Sequence, residues 1–107
     1  MKAFTDIEQS KKLAEILPIE SADMFYTSLN RDYPWIWIDK HLMEVDDIPC
    51  WLLAALLEII SYPTLSQEYD GKWSCREYQE GEEVEGYENP VDACVAMVEK
   101  LKELNLL

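Results

Sequence analysis

Few residues of the chain could support nucleophilic or metal chemistry. There is one histidine, His41, and the three cysteines are Cys50, Cys75 and Cys94. A catalytic Cys–His pair would have to join His41 to Cys50, the one thiol that a predicted helix start could activate. A zinc site built from all four residues would lack the close ligand pairs, such as Cys-x-x-Cys, that structural zinc uses. We therefore predict a core Cys50 and a surface His41, and we keep a small enzyme using this pair as an alternative.

Carboxylates are abundant, but they do not fall into a recognisable site. Asp46 and Asp47, like the glutamates between residues 80 and 88, lack the alternating aspartate pattern of an EF-hand loop. With 22 acidic residues, so many pairs could be proposed for glycoside hydrolysis that none is singled out. The three glycines do not form a phosphate-binding loop. We predict no catalytic residue, metal or cofactor, and a small enzyme using carboxylates stays an alternative.

The charge of the chain is strongly negative along its whole length. Nine Lys and Arg residues stand against 22 Asp and Glu residues, which gives a net charge of −13. Nucleic-acid affinity comes mainly from cations that displace phosphate counterions, so we expect no direct binding to DNA or RNA. The charge fits solubility, attraction to a basic partner protein, or mimicry of nucleic acid on such a partner's surface.

One acidic stretch, YQEGEEVEGYENP (residues 78–90), holds five glutamates and no basic residue. We expect a turn at EGEE and a short strand, VEGYE, with its glutamates facing water, because charge on an edge strand discourages pairing with other chains. The alternative is a docking surface, to which the two tryptophans of WIWI could also contribute. The candidate interaction residues are Trp35, Trp37, Glu80, Glu82, Glu83, Glu85 and Glu88.

Two helices are predicted in the first 60 residues. TDIEQSKKLAEIL begins with a capping box of Thr5 and Glu8, whose side chains satisfy backbone N–H groups, and its apolar residues recur at helical spacing. EVDDIPCWLLAALLEIIS places Pro49 in a first helical turn and is apolar on nearly all sides from Trp51 to Ile60. We expect this second helix to be the most buried one.

Strands are predicted before and after the second helix. DMFYTSL and WIWI are β-branched and aromatic, and a polar segment separates them. Further along, Asp70 and Gly71 indicate a type I′ hairpin turn that leads into an alternating strand from Trp73 to Tyr78. Of the other two tryptophans, Trp51 and Trp73, we expect core packing.

The third helix, NPVDACVAMVEKLKELNLL, has Asn89 as its N-cap and Pro90 as its first residue. We predict one α+β domain over residues 1–107, with about three helices packed on a small antiparallel sheet of four or five strands. The N-terminal segment has no apolar run of signal-peptide length, and IPCWLLAALLEII is too short to span a bilayer. The sequence therefore predicts a cytoplasmic protein without a membrane contact.

Three segments together suggest a family: TDIEQSKKLAEILPIESADM, IPCWLLAALLEII and NPVDACVAMVEKLKEL. They resemble a group of small acidic proteins encoded in bacterial genomes, often in phage-derived or other mobile DNA. The resemblance covers about half of the chain and does not extend over residues 63 to 88. It implies an accessory protein from a mobile element, and it brings no established activity, cofactor or binding residue.

These observations favour a non-enzymatic interaction protein whose acidic surface docks a basic partner. The net charge, the scarcity of catalytic groups and the paired Trp35 and Trp37 support this hypothesis. A small enzyme is the first alternative and predicts a pocket around His41 or converging acids. A homodimer formed through the WIWI strand is the second, because a strand with apolar residues on both faces can pair with another copy.

Overall fold

Helices and strands follow one another along the chain in an order typical of an α+β fold. The computed structural model describes residues 2–36 and 44–107. These residues contain three α-helices and six β-strands, which confirms the predicted class and number of helices. The helices are α1 (Ile7–Ile16), α2 (Leu53–Ile59) and α3 (Pro90–Glu103). The strands are β1 (Met24–Tyr26), β2 (Trp35–Ile36), β3 (Ile48–Cys50), β4 (Pro63–Gln67), β5 (Trp73–Glu77) and β6 (Glu83–Tyr87).

The described strands form two three-stranded antiparallel sheets instead of the predicted single sheet of four or five strands. The first sheet has the order β2-β1-β3, and the second has the order β4-β5-β6. The strand that was not predicted is β3, in which Pro49 lies opposite Phe25 and not in the first turn of a helix. An edge strand such as β3 tolerates proline, because a backbone N–H is not required on its outer side.

Helix α2 is shorter and less buried than predicted. It covers Leu53–Ile59, and its buried residues are Ala55 and Leu56. Helix α3, with eight buried residues, is the most buried helix of the described chain. Cys50 and Trp51, which precede α2, are also fully buried. The apolar run is therefore apolar because its residues are buried, although only part of it is helical.

Helix α1 begins with a capping box that differs from the predicted one. Asp6 is the N-cap, and its carboxylate accepts a hydrogen bond from the backbone N–H of Gln9 at 2.8 Å. The Gln9 side chain accepts from the Asp6 backbone N–H at 3.1 Å. The predicted pair of Thr5 and Glu8 is wrong, because the Thr5 hydroxyl is buried and accepts from the backbone N–H of Trp51 at 3.1 Å.

The predicted start of α3 is confirmed, and this helix holds the molecule together. The Asn89 side chain accepts from the backbone N–H of Asp92 at 2.9 Å. Helix α3 packs against β5, β6, α2 and α1, whereas α1 also packs against β3 of the first sheet. The core around α3 includes Trp51, as predicted, and Trp73 packs at its margin. No helix of the described residues is long and apolar enough to cross a membrane.

The hairpin between β4 and β5 is confirmed, but its turn is not of type I′. The backbone N–H of Glu68 donates to Lys72 O at 2.8 Å, and the N–H of Gly71 donates to Glu68 O at 2.9 Å. Gly71 has a φ of +85°, whereas Asp70 is not among the residues with positive φ. A type I′ turn needs two such residues, so a three-residue loop with a left-handed glycine fits better.

An ion-pair network ties the N-terminal segment to α3. Lys2 Nζ lies 2.9 Å from both Asp6 Oδ2 and Asp92 Oδ1. Gln9 Nε2 also donates to Asp92 Oδ1 at 2.8 Å. Partial burial by itself raises the pKa of Asp92, but the hydrogen bonds from Lys2 and Gln9 and the charge of Lys2 outweigh it and lower the pKa. The pKa of Asp6 is lowered in the same way, by the Gln9 backbone and by Lys2, against its own burial.

We predict that Asp92→Asn lowers the free energy of unfolding at pH 7 by about 1 kcal/mol, since it removes one charge of this network. A carboxyl whose pKa is lowered on folding stabilises the fold above its unfolded pKa of 3.8, and the contribution is lost as the pH falls through the lower folded pKa. Urea unfolding at pH 7 and near pH 2 should therefore show a difference at neutral pH that disappears in acid. Glu103→Gln, which removes an exposed charge at the other end of α3, serves as the control. A difference of the same size at both pH values would contradict the electrostatic explanation.

Candidate functional site

The acidic stretch of residues 78–90 forms the turn and the third strand that its sequence predicts. Strand β6 pairs with β5, and two of its residues, Glu85 and Gly86, stand opposite the single residue Ser74. This β-bulge depends on Gly86, whose φ of +87° a residue with a side chain rarely adopts. The Glu85 side chain is exposed at the bulge.

Several glutamates of this stretch are compensated by cations. Glu82 and Glu83, which belong to the predicted turn, have side chains that are 28% and 37% exposed. Lys100 of α3 lies 3.1 Å from Glu82 Oε2 and donates to the Glu83 backbone oxygen at 2.9 Å. Glu80 and Glu85 are exposed and form no ion pair within the described residues. The ion pairs of the stretch are Glu82 with Lys100, Glu83 with Arg76, and Glu88 with Lys72.

Strand β2 presents large apolar side chains at the edge of the first sheet. It pairs with β1, with Trp35 opposite Phe25 and Ile36 opposite Met24. Trp35 is 56% exposed and Ile36 is 72% exposed. Exposed aromatic and aliphatic groups on an edge strand are typical of a binding surface. The second tryptophan of the predicted pair, Trp37, lies outside the described residues.

Arg31 joins two loops near β2. Its guanidinium donates to the backbone oxygen of Tyr26 at 3.3 Å and to that of Asp46 at 2.9 Å. These loops carry further exposed apolar side chains, so the exposed apolar surface extends beyond β2. The additional exposed residues are Leu29, Tyr33 and Val45.

An acidic groove of about 460 Å³ borders β2. It lies between Ile36, the segment that follows α1, and helix α2. Among the described residues, its lining includes Glu20, Asp23 and Glu58 and no basic side chain. We refer to Trp35, Ile36, Glu20, Asp23 and Glu58 together as the Trp35 surface. Ile36 lines the groove together with the carboxylates, whereas Trp35 precedes it on the same edge strand and is not part of the groove lining. A partner that follows the strand could bury both apolar groups, and the carboxylates would attract positive charge.

Known proteins give no direct indication of what this surface binds. No family model, curated protein or solved structure matches the chain. Nor does any group of three or more His, Cys, Asp or Glu side chains lie in place to hold a metal ion, as far as the structure describes the chain. The binding properties of the chain must therefore be inferred from its own surfaces and cavities.

Cys50, the candidate nucleophile, belongs to a buried polar cluster. Its Sγ donates to the backbone oxygen of Thr5 at 3.4 Å, and the Tyr26 hydroxyl donates to the same oxygen at 2.8 Å. The Thr5 hydroxyl lies 2.7 Å from Ser10 Oγ and accepts from the Trp51 backbone N–H. Burial raises the pKa of Cys50, so its thiol is protonated at neutral pH. The cluster joins the N-terminal segment to α1, β1 and β3.

The other two cysteines are also structural. Cys75 on β5 and Cys94 on α3 are fully buried, with thiols near enough to affect each other's ionisation. The neighbouring Cys75 thiol and burial raise the pKa of the Cys94 thiol. The predicted core position of all three cysteines is confirmed. His41 lies outside the described residues, so its predicted surface position and the His41–Cys50 pair stay untested.

Glu77 is a candidate functional residue that sequence analysis missed. It lies at the end of β5, on the same alternating face as Cys75, and is 1% exposed. Its Oε1 accepts from the backbone N–H of Glu80 at 2.9 Å, while its buried Oε2 has no hydrogen-bond partner in the described structure. The alternation of buried and exposed residues in β5 could have predicted that Glu77 faces inward. Glu77 was not singled out because the acidic stretch begins directly after it.

Proposed function

We propose that the protein is a non-enzymatic interaction protein whose Trp35 surface docks a basic partner protein. The observation that carries this proposal is an exposed aromatic edge strand beside a groove to which the described residues contribute three carboxylates. Tryptophan provides a large area that a partner can bury, and such residues account for much of the binding energy at interfaces. The carboxylates around it favour a partner with Lys or Arg at matching positions.

The acidic stretch of residues 78–90 is a weaker candidate for the docking surface, because part of its charge is already compensated. In that stretch, Arg76, Lys72 and Lys100 already pair with three of the five glutamates. A basic partner would have to compete with these cations for the same carboxylates. The stretch is better suited to protecting the edge strand β6 from pairing with other chains. The net charge of −13 still adds long-range attraction for a basic partner at every face.

The two alternative functions have weaker support. A cysteine enzyme would need a thiolate, whereas the Cys50 thiol is fully buried and protonated at neutral pH. A homodimer through β2 would bring two copies of the same acidic groove close together, and like charges at an interface repel each other. A basic partner meets neither obstacle.

The resemblance to small acidic proteins of mobile DNA suggests which basic partners to consider. Proteins that handle nucleic acids have basic surfaces, because they neutralise phosphates. We infer that an accessory protein of a mobile element would act in the cytoplasm on a protein of this class, by protein contact rather than by binding nucleic acid.

The test begins with capture of partners from a lysate of the native cell at low and high salt. A basic protein retained at low salt and released at high salt is then purified, and its affinity is measured by calorimetry. We expect Trp35→Ala to weaken binding at least tenfold, the typical effect of about 1.4 kcal/mol or more for an aromatic interface residue. Glu58→Lys should weaken binding and reduce its salt dependence.

Two control variants separate this surface from the rest of the acidic chain. Tyr69→Ala removes a fully exposed aromatic residue from the β4–β5 loop and should leave the affinity unchanged. Glu85→Lys reverses an exposed charge in the acidic stretch and should have a smaller effect than Glu58→Lys. If Glu85→Lys abolished binding while Trp35→Ala had no effect, the docking surface would be the acidic stretch and the present proposal would fail. Sedimentation at several concentrations would reveal a homodimer instead.

A further inference from the structure

The buried carboxylate of Glu77 indicates a second binding site, separate from the Trp35 surface. Glu77 is 1% exposed, and its Oε2 is buried without a hydrogen-bond partner among the described residues. Buried carboxylates are normally paired with a donor or a cation, because desolvation of a charged oxygen is unfavourable. Glu77 also lines a cavity of about 50 Å³. We propose that this cavity binds a primary ammonium group, with Glu77 as its counterion.

The cavity has a polar side and an apolar side. It lies where the ends of α2, β5 and α3 meet, and its polar residues are exposed enough to give access from solvent. The polar residues beside Glu77 are Ser61, Gln79 and Glu80. The apolar residues are Ile59, Leu101, Leu106 and Leu107. This arrangement suits a cationic head with a methylene chain behind it, as in lysine or an alkylamine.

The apolar side is fixed by the way α3 ends. Asn105 has a φ of +58°, and its backbone N–H donates to Lys102 O at 3.0 Å. The N–H of Leu106 donates to Leu101 O at 2.8 Å. These two bonds form a Schellman motif, which turns the chain back and commonly brings the residue after the turn against the last helical turn. Leu101 and Leu106 thereby line the cavity together.

The hydrogen-bonding capacity of the cavity favours ammonium over other cations. Guanidinium binds best to both oxygens of one carboxylate, but Glu77 Oε1 is already occupied by the backbone N–H of Glu80. An ammonium has three donors for separate acceptors, and the lining of the cavity offers the carboxylates of Glu77 and Glu80 and the Ser61 hydroxyl. A divalent cation such as calcium needs six or more oxygen ligands, and two carboxylates do not provide them.

The ammonium group has two sources, a lysine side chain of another protein or a free alkylamine. The inference does not depend on the proposed function, because the cavity adjoins the second sheet and the Trp35 surface is built on the first. If a basic partner supplies the lysine, the cavity is a second contact with that partner.

The test is a titration followed by NMR of the backbone amides, on the full chain at constant ionic strength. The probes are N-acetyl-lysine methylamide and butylamine, with N-acetyl-norleucine methylamide and N-acetyl-arginine methylamide as controls. We expect saturable shifts at residues 77–81 and 104–107 with the ammonium probes, and no saturation with norleucine. Tighter binding of the capped lysine than of butylamine would indicate a protein lysine, and the reverse order would indicate a free amine.

Two variants with the same change of charge complete the test. Glu77→Gln should weaken binding of the ammonium probes at least tenfold, whereas Glu85→Gln, at an exposed site, should change it less than twofold. The proposal is overturned if neither ammonium probe gives saturable shifts, if arginine binds as well as lysine, or if the two variants weaken binding equally. If Glu77→Gln does not fold, the comparison of lysine, arginine and norleucine probes on the wild-type chain still tests whether the cavity binds an ammonium group. None of these results alters the expected effect of Trp35→Ala on partner binding.

Discussion

Trp51→Ala is expected to lower the free energy of unfolding by about 3–5 kcal/mol, the usual cost of removing a buried tryptophan. Trp51 is fully buried at the centre of the core, and its indole Nε1 donates to Ser21 Oγ at 2.9 Å. The substitution leaves a large cavity and removes this hydrogen bond. Domains of this size are stabilised by about 5–15 kcal/mol in total, so the variant should be close to unfolding at 37 °C.

Trp35→Ala is the matched control for this prediction. Trp35 is 56% exposed on an edge strand opposite Phe25, and its removal should lower the free energy of unfolding by only about 1 kcal/mol. Urea unfolding at pH 7, followed by circular dichroism, compares both variants with the wild type. Equal destabilisation by the two substitutions would mean that Trp35 is packed against the protein, and it would remove the basis of the Trp35 surface.

Thr5→Val is the second substitution with a large expected effect, a loss of about 2–3 kcal/mol. Valine has nearly the same shape as threonine, so the change tests the hydroxyl and not the packing. Without the hydroxyl, the buried backbone N–H of Trp51 loses its acceptor, and Ser10 Oγ loses its partner at 2.7 Å. A buried donor left unsatisfied costs more than the hydrogen bond itself contributes.

Thr64→Val is the matched control, because Thr64 is exposed on β4 and valine is favourable in a strand. Urea unfolding should show little change or a small gain for this variant. If Thr5→Val were as stable as the wild type, water would have to reach the cluster, and its structural role would be wrong.

The candidate surfaces could be predicted from the sequence only in part. The sequence predicted the short aromatic strand of Trp35 but did not decide whether this side chain is covered or exposed, and the acidic stretch was identified by its glutamates alone. The sequence did not show that Lys100 reaches Glu82 from 18 residues further along the chain, a contact that depends on how α3 packs on β6. The same limit applies to the groove beside β2, whose acids come from the segment after α1 and from α2.

The sequence by itself determined the features that depend on neighbouring residues. The Asn89 cap, the start of α3 and the hairpin between β4 and β5 follow from hydrogen bonds and backbone preferences within a few positions. The net charge and the scarcity of histidine are composition alone. Composition alone therefore argues against direct nucleic-acid binding and against sites that need several histidines, without any knowledge of distant contacts.

Only the tertiary structure decided the conformation of the run IPCWLL and the position of the first capping box. Pro49 lies in a strand because β3 pairs with β1, where Phe25 is opposite it. The Thr5 side chain faces inward, where its hydroxyl accepts the hydrogen bond of the buried Trp51 backbone N–H. Local preference for a helix differs between such alternatives by less than about 1 kcal/mol per residue, whereas burying an unsatisfied N–H costs about 1–3 kcal/mol. Long-range hydrogen bonds and burial therefore outweighed the local signals at these positions.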